Sequence, residues 1–371
     1  MTNHRIRNAR HLSARARLTL LCGLVAFIGM QVGLPMIAGS DNTAVRDPVY
    51  EIKMAKLRER LKEHPQRPLI LVLGSSRPAA GIRPELCGNL DSSDHGPMVF
   101  NLGISGAGPR QQLIQLKRIL SEGIHPAGVL IEILPALLNQ SVKYSEDSLI
   151  QKRGMQAEEL AILADHNVSP QSPDSIASSE WSSHWSSLRL RVLRRFAPAW
   201  IETDVPSNAS PKRFTPWGWR AFAEGVKVAT AKEYRSGIER SRADFETSFT
   251  DWEVTDVADR AVRQILETCR QEKVSAALYV MPVATELQEM YQPGDRAELN
   301  DYLTGISQDY SVPVVDATEW STDQDFWDGH HLLADGATRF TQRFCQEFLD
   351  TFAVSLSDAP RLSQRPMDQR Q

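Results

Sequence analysis

Three short apolar runs, each closing on a turn-forming residue, constrain this chain more than any other feature. Leu69-Ile-Leu-Val-Leu73 runs into Gly74, Met98-Val-Phe-Asn-Leu102 into Gly103, and Val129-Leu-Ile-Glu-Ile-Leu134 into Pro135. Runs this short, with little polar alternation, suit strands buried on both faces. Between the second and third lies Pro109 to Glu122, an amphipathic stretch with a Pro start and Gly123 as its stop, which predicts a helix. The rhythm resumes with a β-rich Val274 to Val280, a helical Ala297 to Gln308, the strand Val312 to Asp316, and a last helix from Ala334 to Phe352. Strands alternating with helices predict an α/β fold around a mainly parallel sheet.

With 371 residues, 42 % of them hydrophobic, the chain can fill a core. Five arginines and no acid stand in residues 1–40, so the remainder carries 37 basic against 46 acidic residues. A body that acidic repels phosphate backbones, and no nucleic-acid partner is expected.

From Leu18 to Ser40 no residue is charged, a run of 23 that follows the arginine cluster directly. That length suits a single membrane-crossing helix, and the arginines orient it with residues 1–17 as a basic cytoplasmic tail and everything after Asp41 exported. A cleaved leader has the same polarity, and Ala38-Gly39 suits its cut. A buried core helix is the third reading; export follows from the first two, and the lipid bilayer is an expected partner through residues 18–40.

Residues 41–66 contain the highly charged YEIKMAKLRERLKE pattern ending at His64-Pro65, which reads as a helical juxtamembrane stalk. The α/β domain then occupies 67–140 and 256–352. Residues 141–255 break its rhythm with nine serines between Ser169 and Ser187, a basic stretch Leu188 to Arg195, and six of the eight tryptophans. This insertion reads as a cap over one end of the sheet. Its tryptophans suit either ordinary packing or an aromatic surface for a sugar or lipid acceptor. Residues 353–371 read as a flexible polar tail. Outside the apolar run stand Cys87, Cys269 and Cys345; with no CxxC among them they read as small buried hydrophobes.

Ligands of open α/β sheets bind beyond the carboxyl ends of the strands. After the first run comes Gly74-Ser75-Ser76-Arg77, a turn that presents a hydroxyl. After the second comes Asn101-Leu-Gly103-Ile-Ser-Gly106-Ala-Gly108, whose glycines let a backbone N–H approach a developing oxyanion; its spacing is wrong for a dinucleotide. Near the C-terminus stands Asp328-Gly329-His330-His331. An Asp three residues before a His can hold the imidazole by Nδ1 and leave Nε2 to take a serine proton. The same residues read alternatively as a surface turn or as part of a metal site, although no further ligands are visible.

Together, in this order and at strand ends, the three blocks resemble those of the SGNH (GDSL-type) hydrolase and acyltransferase superfamily, in particular its membrane-anchored members. The resemblance covers roughly residues 67–140 and 256–352. It implies a flavodoxin-like three-layer fold with a parallel sheet, a nucleophilic Ser76, an oxyanion hole from the N–H groups of Ser76 and Gly106, and an Asp328–His331 pair, with neither cofactor nor metal. One block departs from the pattern. The family's Gly-x-Asn-Asp is replaced by Ile131-Glu-Ile-Leu-Pro135-Ala-Leu-Leu-Asn139, so the usual Asn donor is missing. Arg77 and Asn139 are candidates to substitute, and Glu132 is expected to pair with a buried base such as Arg77.

The resemblance implies acyl-ester chemistry outside the cytoplasm, on an acylated carbohydrate or small ester. Water as acceptor makes an esterase, and a polysaccharide hydroxyl makes an O-acyltransferase, as in alginate-acetylating and teichoic-acid-modifying relatives. The rival is a membrane-tethered binding or assembly protein that kept the fold and lost part of its oxyanion hole.

Overall fold

The structure, a computed structural model, describes residues 16–29, 47–87, 96–139, 146, 159, 161–163 and 211–357 apart from 224 and 227. The chain divides into two units. In the first, formed by Met1–Pro48, Arg153–Gln156 and Pro170–Pro206, the described element is helix α1, residues 16–29. It covers the first half of the expected membrane segment, and residues 30–46 lie outside the described residues. Among the described residues no helix is long and apolar enough to cross a membrane.

The second unit holds the sheet. Its elements are α2 (Pro48–Glu63), β1 (Leu69–Leu73), α3 (Ser76–Gly81), β2 (Met98–Asn101), α4 (Pro109–Ser121), β3 (Gly128–Glu132), α5 (Ala231–Phe245), α6 (Asp256–Gln271), β4 (Ser275–Val280), α7 (Thr285–Gln288), α8 (Pro293–Tyr310), β5 (Val314–Asp316), α9 (Ala334–Phe344) and α10 (Asp350–Ser357). The five strands are all parallel in the order β2-β1-β3-β4-β5, the order of flavodoxin-like sheets. The apolar runs of the sequence supply them: β1 is buried at every position.

Side chains alternate between the two faces of a strand, so one run serves two cores. Leu69, Leu71 and Leu73 join α2, α4, α6 and α8 on one side; Ile70 and Val72 join α9 and α10 on the other. The result is three layers, helices on both faces of the sheet.

Four expectations change. The stretch read as a stalk is α2, whose Tyr50, Met54, Leu57 and Leu61 form a buried stripe in the first core. Their spacing of four, three and four places them on one helical face, so α2 belongs to the domain despite its charged opposite face. Cys87 and Cys345 form a disulfide across 258 residues, and only Cys269 of the three is a buried free thiol. The tail begins later than expected, because Phe352 and Leu356 of α10 are buried and Phe352 packs on Gly128. Finally, the C-terminal part of the insertion is built into the domain. Trp219 and Trp252 are buried, with indole N–H groups donated to Ala80 O and Pro135 O, which is core packing rather than an aromatic surface. Trp181, Trp185, Trp200, the Ser-rich stretch and Leu188 to Arg195 lie outside the described residues.

Candidate active site

Ser76 stands where β1 turns into α3. Ser75 caps that helix, its Oγ accepting the N–H of Arg77 at 3.1 Å, so Ser76 occupies the first helical position with its own N–H outside the helical ladder. The turn after β2 is drawn against it. Ile104 N–H donates to Gly74 O, and Gly103 approaches so closely that a Cβ there would lie 2.8 Å from Ala79 N and 2.9 Å from Ser75 O. Only glycine fits at that crossing. Gly106, at the tip of the same turn, has φ +78°.

Asp328, His330 and His331 sit on the loop between β5 and α9, closed by the Phe326–Leu332 bridge and by Trp327 N–H donating to His331 O at 2.9 Å. The Asp328 carboxylate organises the turn: Oδ1 accepts the His331 N–H at 2.9 Å and Oδ2 lies 2.8 Å from His331 Nδ1. Nε2 of the same ring lies 2.8 Å from Ser76 Oγ. With Nδ1–H donating to the Asp328 carboxylate, Nε2 accepts the serine hydroxyl, and Ser76, His331 and Asp328 form one continuous hydrogen-bonded chain. Burial opposes charge on Asp328, but His331 beside it, by charge and hydrogen bonding, holds the carboxyl well below its ordinary range.

His330 does not join that chain. Its Nδ1 lies 3.1 Å from Ser241 Oγ, which itself donates to Asp328 O at 2.9 Å. Burial first, and then the neighbouring His331, push its pKa well below the ordinary imidazole value, so the ring is neutral at physiological pH.

Two residues without any sequence motif to single them out complete the surround. Phe222 stacks on His331 with ring centroids 3.8 Å apart and planes at 7°. Its segment is fastened to the sheet end by Asn101 N–H to Trp217 O and by Arg220 N–H to Ala79 O. Ser241 lies on α5, where Gly237 lets the helix backbone close on Asp328. Both belong to the insertion and carry no motif, so only their contacts reveal them.

The substitute donors are committed elsewhere. Arg77 Nη2 donates to Met281 O and Pro282 O at 2.7 and 2.9 Å, and the buried Asn139 donates its amide to Ser248 O. Nor does Glu132 form a hydrogen-bonded ion pair with Arg77 among the described contacts. Its Oε2 accepts the Ser75 N–H at 2.5 Å, while Oε1 is buried without a partner. Burial raises the Glu132 pKa, and the positive charge of Arg77 and the Ser75 N–H only partly offset this.

Donor atoms of Asp328, His330 and His331 lie within 4.8 Å of one another, close enough to share a cation. A metal there would have to displace the Asp328–His331 and His331–Ser76 hydrogen bonds, and no fourth His, Cys, Asp or Glu joins the group among the described residues.

A family described as "Protein of unknown function (DUF1574)" matches residues 34–154. No curated protein matches the chain. Among solved structures, the psychrotrophic esterase EstA from Pseudoalteromonas sp., inhibited by monoethylphosphonate, is 14 % identical over 78 % of this chain and 99 % of its own, with a TM-score of 0.35.

Proposed function

We propose that the chain is a serine-dependent acyl-ester hydrolase or O-acyltransferase of SGNH type that works through an acyl-enzyme. The observation that carries this reading is the Ser76–His331–Asp328 chain at the carboxyl end of a parallel sheet. As Ser76 Oγ forms its bond to the ester carbonyl carbon, its proton passes to His331 Nε2, and Asp328 stabilises the imidazolium. The N–H groups of Ser76 and Gly106 hold the oxyanion. Collapse breaks the ester C–O bond, and the leaving alcohol takes the proton from Nε2. Water or a sugar hydroxyl then attacks the acyl carbon and gives its proton to His331 Nε2, which returns it to Ser76 Oγ as the acyl C–Oγ bond breaks.

The substrate proposed is a cell-surface or exopolysaccharide ester outside the cytoplasm. The Cys87–Cys345 disulfide supports an oxidising compartment, and the uncharged run after five arginines supports export with residues 18–40 as an anchor or leader. Exposed Leu18, Leu20, Leu24 and Val25 on α1 accord with a lipid-facing segment.

One observation favours the second reading, a tethered binding or assembly protein. Arg77 Nη2 and the Asn139 amide donate to internal carbonyls, and with no Asn in the third block the oxyanion lacks the family's side-chain donor, a loss worth on the order of 10²–10³ in rate. A fluorophosphonate probe separates the two. Adduct mapped to Ser76, and absent in Ser76→Ala, is the expected result. Folded protein that takes no label overturns the enzyme reading in favour of the binder.

A further inference from the structure

We propose that Lys53, on α2, is a positioning residue for the oxyanion hole, holding the turn from which Gly106 offers its N–H. This rests on the acyl-enzyme reading above and adds to it the side chain that fixes one of the two main-chain donors. Lys53 is fully buried, and its Nζ donates to Gly103 O at 2.7 Å and to Asn101 O at 3.1 Å. Asn101 ends β2, and Gly103 leads into the turn.

Each of these carbonyls shares a peptide group with an N–H that reaches the end of β1. Leu102 N–H, bonded to the Asn101 carbonyl carbon, donates to Val72 O at 2.8 Å; Ile104 N–H, bonded to that of Gly103, donates to Gly74 O at 2.8 Å. A donor on a peptide oxygen strengthens the bond made by the same peptide's N–H, because the group polarises as a unit. Lys53 thereby tightens two links between the β2 turn and the strand that leads to Ser76. The Asn101 side chain adds a third tie, its amide donating to Pro78 O and Ile82 O and its oxygen accepting the Gly103 N–H at 3.0 Å. Ile104 O then accepts the Ala107 N–H at 3.0 Å, closing the turn with Gly106 at its tip. Among the described residues the Gly106 N–H donates to no other group, so it is available to an oxyanion.

A lysine is a costly choice for this place. Full burial of lysine is rare without an ion pair, and among the described residues the charge acting on Lys53 is the like charge of Arg220. Burial first, and then Arg220, push its pKa well below the ordinary lysine value. Ammonium and neutral amine alike keep two N–H groups for the two carbonyls. Without the third-block Asn the hole depends on main-chain donors, whose geometry only their surroundings can hold. A misplacement of about 1 Å costs on the order of 10²-fold in rate. Lys53 also meets the segment that covers His331, since Nζ lies 5.4 Å from the centroid of the Phe214 ring and Phe222 follows in the same segment.

The test compares the full chain with its Lys53→Met and Lys53→Gln variants on a p-nitrophenyl ester and on the thionoester that carries sulfur in place of the carbonyl oxygen. Sulfur accepts hydrogen bonds weakly, so the preference for the oxygen ester reads the oxyanion hole, which a loss of stability alone would not change. Lys53→Met keeps the stem and removes the donors. It is expected to lower kcat on the oxygen ester on the order of 10- to 100-fold with KM little changed, and to narrow the preference by at least about threefold. Lys53→Gln, whose shorter stem cannot meet both carbonyls, should narrow it less. Either variant, with native circular dichroism, that keeps the wild-type preference while Ser76 still takes a fluorophosphonate label overturns the proposal and leaves the serine enzyme intact. Wild-type protein with neither ester turnover nor label at Ser76 overturns the enzyme reading, and the positioning role falls with it.

Discussion

The carboxyl of Glu132 accepts the backbone N–H of Ser75 at 2.5 Å, one residue before the hydroxyl that meets His331. A strand-end carboxyl therefore holds the turn that presents the nucleophile. Glu132 is itself held in register by Gln112, whose side-chain amide both donates to its carbonyl and accepts its N–H. Glu132→Ala leaves the Ser75 N–H buried and unpaired, at about 1–3 kcal/mol. It should lower kcat on the order of 10- to 100-fold with KM little changed. Glu132→Gln, which keeps an acceptor oxygen, should restore most of the rate. Equal losses in both variants would remove the positioning role.

Asp328 makes two kinds of contact with His331, one through the ring and one through the backbone. Asn in its place can offer Nδ1 a donor instead of an acceptor and favours the wrong tautomer. By analogy with the triads of known serine hydrolases, Asp328→Asn should cost on the order of 10⁴ in kcat. Steady-state kinetics on a small ester, beside an unchanged circular-dichroism spectrum, checks this.

Phe222 covers one face of the His331 ring. An aromatic stack is worth about 0.5–1.5 kcal/mol beyond its area, and it keeps Nε2 directed at Ser76. Phe222→Trp should retain activity and Phe222→Leu should lose roughly threefold to tenfold. Identical kinetics for Leu and Trp at this position would show that bulk alone matters.

The largely buried His330 is neutral in the folded protein, whereas the unfolded chain protonates it at the ordinary imidazole value. Its contribution to stability is therefore complete above that value and is lost as pH falls below it, by up to about 1.4 kcal/mol per pH unit. His330→Asn binds no proton there. Urea unfolding at about pH 7.5 and 5.5 should show a smaller acid-induced loss in the variant than in the wild type, whatever the offset between them. A wild-type loss no larger than the variant's would contradict the neutral assignment.

The Cys87–Cys345 disulfide closes a loop of 258 residues that contains most of the sheet. Removing a native crosslink of this kind costs about 2–4 kcal/mol. Reductant, or Cys345→Ser, should lower the thermal midpoint, and reductant should have no further effect on the variant.

Much of this molecule was legible in the chain itself because its signals are local. Leu69–Leu73 could be recognised as a strand since a continuous apolar run has few other uses, and its structural limits match the run. Ser76, Gly106, Asp328 and His331 are legible through the resemblance of their three blocks to a known superfamily, and of these the structure brings Ser76, His331 and Asp328 into one hydrogen-bonded chain.

What tertiary structure alone decided depends on residues far apart in number. The charged face of Pro48–Glu63 concealed the Tyr50–Met54–Leu57 stripe, whose role follows only from having a sheet to lie on. No spacing rule pairs Cys87 with Cys345, directs Glu132 to Ser75 instead of to Arg77, or brings Phe222 over His331. Those contacts exist because burial of the two apolar faces brings distant segments within bonding range. Local sequence encodes which groups want to pair, and only the closed fold chooses their partners.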